Sequence, residues 1–204
     1  MKIQSTLYAV GIAFMLFSCS EDEVPEIKTA VAVQINNLPA DPPVGRDSLG
    51  TPYGTTDQFT LFRFSDSTLV VHADSATDKW DIGFKANVII VNSGVSGPGQ
   101  TSAFLYDGLF GEMKEVPTDS SFQQDLGGVL AIGKGWYNYN ASAMTLTPKP
   151  GKIIFLRTNE GKYVKMEILS YYKDSPATPN AFTDKDRFYT FRYVHQSNGT
   201  TKFE

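Results

Sequence analysis

The sequence predicts an all-β, single-domain protein: a sandwich or barrel-like assembly of mostly antiparallel strands. Three observations carry this. Short runs of β-branched and aromatic residues recur at close spacing, each bounded by Gly, Pro, Asn, Asp or Ser. Two of them, Asn87-Val88-Ile89-Ile90-Val91 and Lys152-Ile153-Ile154-Phe155-Leu156-Arg157, have continuously apolar centres, as strands covered on both faces do. No segment of ordinary helix length carries apolar residues at a helical period, and no internal repeat is present.

The N-terminus is a separate matter. Lys2 precedes an apolar stretch from Leu7 to Phe17, which is shorter than the about 20 residues a membrane-spanning helix needs. It suits the core of a signal peptide, placed at residues 1–18. The stretch ends in Leu16-Phe17-Ser18-Cys19, which resembles a bacterial lipobox, with lipidation expected on Cys19. Phe17 is bulkier than the residue usual at its position. Cys19 is the only cysteine in the chain, so disulfides are excluded and packing must supply the stability. Ser20-Glu21-Asp22-Glu23 resembles the surface-export signal of Bacteroidetes lipoproteins. Residues 19–52, with their prolines and glycines and one apolar patch at Val31-Ala32-Val33, read as a tether with one early strand. The all-β domain is expected over residues 53–204. The net charge of −4 and scattered basic residues argue against a nucleic-acid partner. The only membrane contact expected is the N-terminal lipid.

In order along the domain, Phe59-Thr60-Leu61-Phe62-Arg63-Phe64 and Thr68-Leu69-Val70-Val71-His72 read as a hairpin turning at Ser65-Asp66-Ser67. A strand follows at Trp80-Asp81-Ile82-Gly83-Phe84. The buried strand at 87–91 then leads into the glycine-rich stretch Asn92-Ser93-Gly94-Val95-Ser96-Gly97-Pro98-Gly99. Loops delivered by rigid strands are common binding elements, but the rest of the chain places the candidate chemistry downstream, between Met113 and Met144, and leaves this stretch as part of the core and one rim. Residues 101–106 form another strand, 110–117 a loop, and 120–125 one helical turn. Gly135-Trp136-Tyr137-Asn138-Tyr139-Asn140 alternates, and residues 141–147 continue as a loop or irregular strand. The buried strand at 152–157 turns at Thr158-Asn159-Glu160-Gly161 into the strictly alternating Tyr163–Tyr171. A polar loop over 174–184 precedes the last strand, Phe188–Val194. Trp80 and Trp136 read as core, and so does Met166, which alternates with Val164 and Ile168.

The usual catalytic constellations are missing from the sequence. The two histidines, His72 and His195, stand in no nucleophile context, and there is no G-x-S-x-G. The 94–99 loop lacks the Lys-Ser/Thr ending of a phosphate loop. No Cys/His zinc spacing exists. The expectation is a binding protein and not an enzyme.

Several of these motifs together resemble the HmuY family of haem-binding lipoproteins of Bacteroidetes. They are Trp80-Asp81-Ile82-Gly83-Phe84 with the 92–99 loop, Gly135-Trp136, the strands at 152–157 and 162–166, and the ending Tyr189-Thr190-Phe191-Arg192-Tyr193. The resemblance implies an HmuY-type all-β fold held at the outer-membrane surface. It also implies capture of haem, free or from host haemoproteins, and transfer to a TonB-dependent outer-membrane receptor. The family's founding member ligates iron with two histidines, the second a few residues after the Gly-Trp pair. Here that place falls near Ala141, and no histidine lies between His72 and His195. Some relatives use two methionines, which makes Met113 and Met144 the candidate axial ligands, the only metal contact expected. A thioether is a soft ligand for haem iron; the bland alternative is that both methionines fill gaps against aromatics. Tyr137 and Tyr139 are candidates for the haem pocket or, equally, ordinary sheet aromatics. The alternative function is a structural or interaction lipoprotein that keeps the scaffold and has lost haem binding.

Overall fold

The computed structural model of the chain describes residues 30–203. The signal peptide and the lipidated Cys19 therefore lie outside the described residues.

Two antiparallel sheets form the body. The larger has five strands in the order β1-β13-β12-β11-β8: β1 (Val33–Pro39), β8 (Ser102–Asp107), β11 (Lys152–Arg157), β12 (Tyr163–Tyr172) and β13 (Asp186–Gln196). The smaller has four in the order β5-β4-β6-β7: β4 (Thr60–Arg63), β5 (Thr68–Val70), β6 (Ile82–Lys85) and β7 (Val88–Val91). Two hairpins are added, β2 (Gly45–Arg46) with β3 (Pro52–Tyr53), and β9 (Tyr137–Asn140) with β10 (Thr145–Pro148). No α-helix occurs among the described residues.

Strand alternation explains the packing. Ile154 and Leu156 of β11, Val164 and Met166 of β12, and Tyr189, Phe191 and Tyr193 of β13 point inward. They meet Phe62, Ile82, Phe84, Ile89 and Val91 of the smaller sheet in one core. The intervening residues Ile153, Phe155 and Val194 face outward, where Phe104, Phe110, Val116 and Phe203 cover them in a second cluster. Leu61, Trp80 and Ile90 form a third on the far side of the smaller sheet. Both sheets are thus covered on both faces, which is why β7 and β11 read as unbroken apolar runs. Trp80, Trp136 and Met166 are core residues, as expected.

Four expectations need correction. The tether assigned to residues 19–52 ends much earlier: β1 pairs with β13 from Val33 to Pro39, and Leu38 and Ala40 are buried in the main core. The early strand expected near Val31-Ala32-Val33 is thus β1, and it joins the five-stranded sheet as an edge strand ahead of residue 53. Residues 120–125 form no helical turn. Gln123 exchanges backbone hydrogen bonds with Ala103, so the segment runs extended beside β8. The hairpin partner of β4 stops at Val70, and His72–Asp74 form a short 3-10 turn. Residues 141–147 are not irregular throughout: Thr145 pairs with Asn140 and opens β10.

Candidate functional site

The glycine-rich stretch is not a free loop. Asn92 and Ser93 are fully buried. Asn92 Nδ2 donates to the carbonyls of Thr77 and Trp80, and its Oδ1 accepts from Gly99 N–H. The glycines allow contact: a Cβ on Gly97 would stand 2.2 Å from Asn92 Oδ1 and 2.7 Å from the Trp80 ring. The two ends of the segment are packed, while Gly94, Val95 and Pro98 between them are exposed.

The opposite end of the sandwich is open. The hairpin β9–β10 leans over the ends of β12 and β13, leaving a cleft of about 450 Å³. Its walls are Tyr137, Tyr139, Met144, Leu146, Tyr171 and Tyr172, and Arg46, Asp186 and Arg187 form the polar side. Past Met144, Tyr172 and Asp186 it continues to Leu49, Gly50 and Phe182. Met144 is 49% exposed, Tyr139 60%, Phe182 82% and Leu49 89%. An exposed apolar rim around a concavity marks an interaction site more specifically than scattered surface apolar residues do.

Polar groups hold the walls. Tyr137 Oη accepts from Asn87 Nδ2 at 2.8 Å, and Tyr172 Oη accepts from Leu146 N–H at 3.0 Å. Tyr189 Oη donates to Ala86 O at 2.9 Å beneath the cleft. Burial pushes the Tyr171 phenol well above its ordinary range, and Tyr172 upward too. Both therefore remain neutral phenols at physiological pH. Arg46 reaches Asp186 at 2.7 Å and Gly50 O at 3.0 Å. Arg187 Nη1 donates to Asp41 O, while its buried Nε has no partner. Two guanidiniums, Arg46 paired with Asp186 and Arg187 beside the ionised Asp41, form this polar side of the cleft.

The backbone sets the cleft apart. Among the described residues, nine non-glycine residues have positive φ, of which four are Asn or Asp and two are Ser. The other three are Ala86 (φ 47°), Met144 (φ 54°) and Arg187 (φ 63°), and all three line this cleft. An ordinary L-residue in the left-handed region costs roughly 1–2 kcal/mol. Such strain clusters at functional sites, where surrounding structure holds it in place.

Of the candidate ligands and pocket residues, the structure brings together Met144, Tyr137 and Tyr139. It does not bring in Met113. That side chain packs in the outer-face cluster beside Phe110 and Phe122, with its sulfur against Gly108. Its carbonyl accepts from Lys165 Nζ at 2.7 Å. Met113 is thus on the outer face of the five-stranded sheet, whereas Met144 overhangs a cleft that continues the inner core, so the two thioethers do not face one cleft. His72 is exposed on its turn. His195 is half-buried near the far end of β13 with Nε2 unpartnered, and burial pushes its pKa down. Among the described residues no group of three or more His, Cys, Asp or Glu side chains could hold a metal ion. Sequence reading missed Arg46, hidden in the supposed tether, and Arg187, whose neighbours give no signal. The adjacent pair Tyr171-Tyr172, which breaks strand alternation, was a usable clue to the end of β12.

Fold and cleft together define an all-β sandwich with a strained, apolar-rimmed pocket at one end. This is an HmuY-like fold. The structure matches the apo HmuY analog of Tannerella forsythia with a TM-score of 0.51, covering 84% of this chain and 98% of that one at 13% identity. A candidate HmuY-like heme-binding protein from Bacteroides vulgatus gives a TM-score of 0.46 at 12% identity, over 81% and 91% of the two chains. A candidate lipoprotein from Bacteroides fragilis gives 0.49 at 12%, over 84% and 93%. No protein-family model and no curated protein matches the sequence.

Proposed function

We propose that this protein is a non-catalytic, surface-exposed lipoprotein that captures haem in the cleft at the β9–β10 end and releases it to an outer-membrane receptor. The observation that carries the proposal is the convergence of Ala86, Met144 and Arg187, all in left-handed backbone, on one apolar-rimmed cleft. The residues fit the group. Met144 offers a soft donor for iron, and Tyr137, Tyr139 and Leu146 offer ring and aliphatic surface. Arg46 and Arg187 offer guanidiniums for the propionate carboxylates. Haem, when bound, supplies the iron that the thioether meets; the chain's part is to bind, orient and exclude water. The lipid on Cys19, attachment to the outer membrane and passage through a TonB-dependent receptor belong to the same proposal.

The test is a haem titration followed by visible absorption, in ferric and ferrous states, on wild type, Met144→Ala and Met113→Ala. Wild type is expected to bind, Met144→Ala to change the spectrum, and Met113→Ala to leave it unchanged. Absence of wild-type binding in both states overturns the proposal. A second reading, an interaction lipoprotein on the same scaffold that no longer binds haem, is favoured by the separation of Met113 from Met144. The same titration separates the two.

A further inference from the structure

A polar depression of about 600 Å³ lies at the other end of the sandwich from the Met144 cleft, within the usual size of a small-molecule site. Gln100, Gln123, Gln124 and Arg157 contribute to its lining, together with Phe122 and Leu126.

The backbone beneath these side chains is held tightly. Gln100 N–H donates to Asn159 Oδ1 at 2.6 Å. Gln123 exchanges both backbone hydrogen bonds with Ala103, at 2.8 and 2.9 Å. The side chains themselves are barely committed. The Gln124–Gln100 and Gln123–Ser121 contacts are both long, at 3.4 Å. The exposed Arg157 guanidinium makes no hydrogen bond or ion pair within the described protein. Phe122 is half-buried against Phe104 and Tyr163, and Leu126 is 58% exposed at the rim.

From this we infer a second site, for a short neutral saccharide, built by Gln100, Gln123, Gln124 and Arg157 around Phe122. The chemistry selects the class. Each glutamine amide offers a donor pair and an acceptor, and the guanidinium offers a planar fork of donors. Adjacent sugar hydroxyls, each both donor and acceptor, match that set. Phe122 and Leu126 give an apolar surface for the C–H face of a ring. A lone guanidinium is a poor basis for phosphate, and Glu160, exposed in the turn next to Arg157, disfavours an acidic ligand. The predominantly polar side chains disfavour an apolar one.

The test is ligand-observed saturation-transfer NMR on the full chain with maltose, cellobiose, lactose and glucuronic acid as probes. At least one neutral disaccharide is expected to receive saturation. Arg157→Ala and Gln123→Ala, exposed positions that leave the urea midpoint unchanged, should each weaken binding about tenfold, the loss of one or two good hydrogen bonds. Met144→Ala should leave it intact, and haem titration should be normal in the Arg157 and Gln123 variants, so this site and the haem cleft succeed or fail separately. Three results overturn the inference: no transfer to any neutral sugar at millimolar concentration, transfer unaffected by both substitutions, or transfer to glucuronic acid alone.

Discussion

At one end of the sandwich Asp81, Asn92, Asp125 and Asn159 spend almost all their polar atoms on neighbouring backbone; at the other, Tyr139, Met144 and Phe182 lie open to solvent over strained residues. Strand β12, ten residues long, separates the two by about 30 Å at the usual rise per residue. At the bonded end Asp125 accepts from Val91 and Ala131 N–H. Asn159 accepts from Gln100 and Thr101 and donates to the Asp78 and Trp80 carbonyls. Asp81 accepts from Phe64 and Asn159, although burial pushes its carboxyl up. Side chains there replace a sheet ladder that has run out; among the described residues, Thr101 Oγ1 and His195 Nε2 are the buried side-chain atoms left unpaired at that end. The contrast reverses a common assumption: glycines mark close packing at one end, and the left-handed Ala86, Met144 and Arg187 line the cleft at the other.

Substitutions at the two ends should therefore move stability in opposite directions. The largest effect is expected from Gly94→Ala. Its φ is 55° and the added Cβ would stand 1.9 Å from Asp125 O, a backbone atom that cannot swing away. Strain and overpacking together predict a loss of about 2–5 kcal/mol in urea denaturation; a loss below half a unit on that scale would break the distinction drawn for this end.

Next in size is Met144→Gly, which removes the side chain and relieves the φ of 54°. Without haem it should stabilise the fold by about 1 kcal/mol while altering the haem spectrum. A destabilised variant would mean that the strain is not stored at this position.

The smallest concerns His195, whose depressed pKa comes first from desolvation, opposed by Glu160 and assisted by Lys162. The unfolded chain binds the proton more readily than the folded one. This group's contribution is thus fully present above its ordinary pKa of about 6.5 and is lost as pH falls below it toward the folded value. His195→Gln should flatten the urea midpoint as pH falls below about 6.5, with no effect on the Met144 cleft.

Much of the fold was legible because periodicity survives in the strands. Strict alternation over Tyr163–Tyr171 and the apolar runs of β7 and β11 announced a half-buried and two fully covered strands. Of β1 only the start was legible, in the apolar patch Val31-Ala32-Val33 read as an early strand; its extent to Pro39 was not, because its outer positions are polar and its pairing with β13 lies far away in sequence. Of the cleft, Tyr137 and Tyr139 were visible through the alternation after Gly135-Trp136, and Met144 only through the resemblance to the HmuY family. Arg46 and Arg187 were not, since residues 141 positions apart meet only when β13 carries one to the β2–β3 hairpin held by the Arg46–Asp186 pair.

By itself the sequence determined an all-β class, an aromatic core anchored on Trp80 and Trp136, and a β9–β10 segment carrying a thioether with two phenols. These follow from local pattern and composition, which need no knowledge of partners. Tertiary structure alone decided which atoms of the glycine-rich stretch pack against Asn92 and Trp80 and that Met113 and Met144 face different sides of a sheet. It alone decided, too, that three left-handed residues from separate segments share one cleft. Each depends on which strands pair and which face each residue takes, and a one-residue change of register would reverse it.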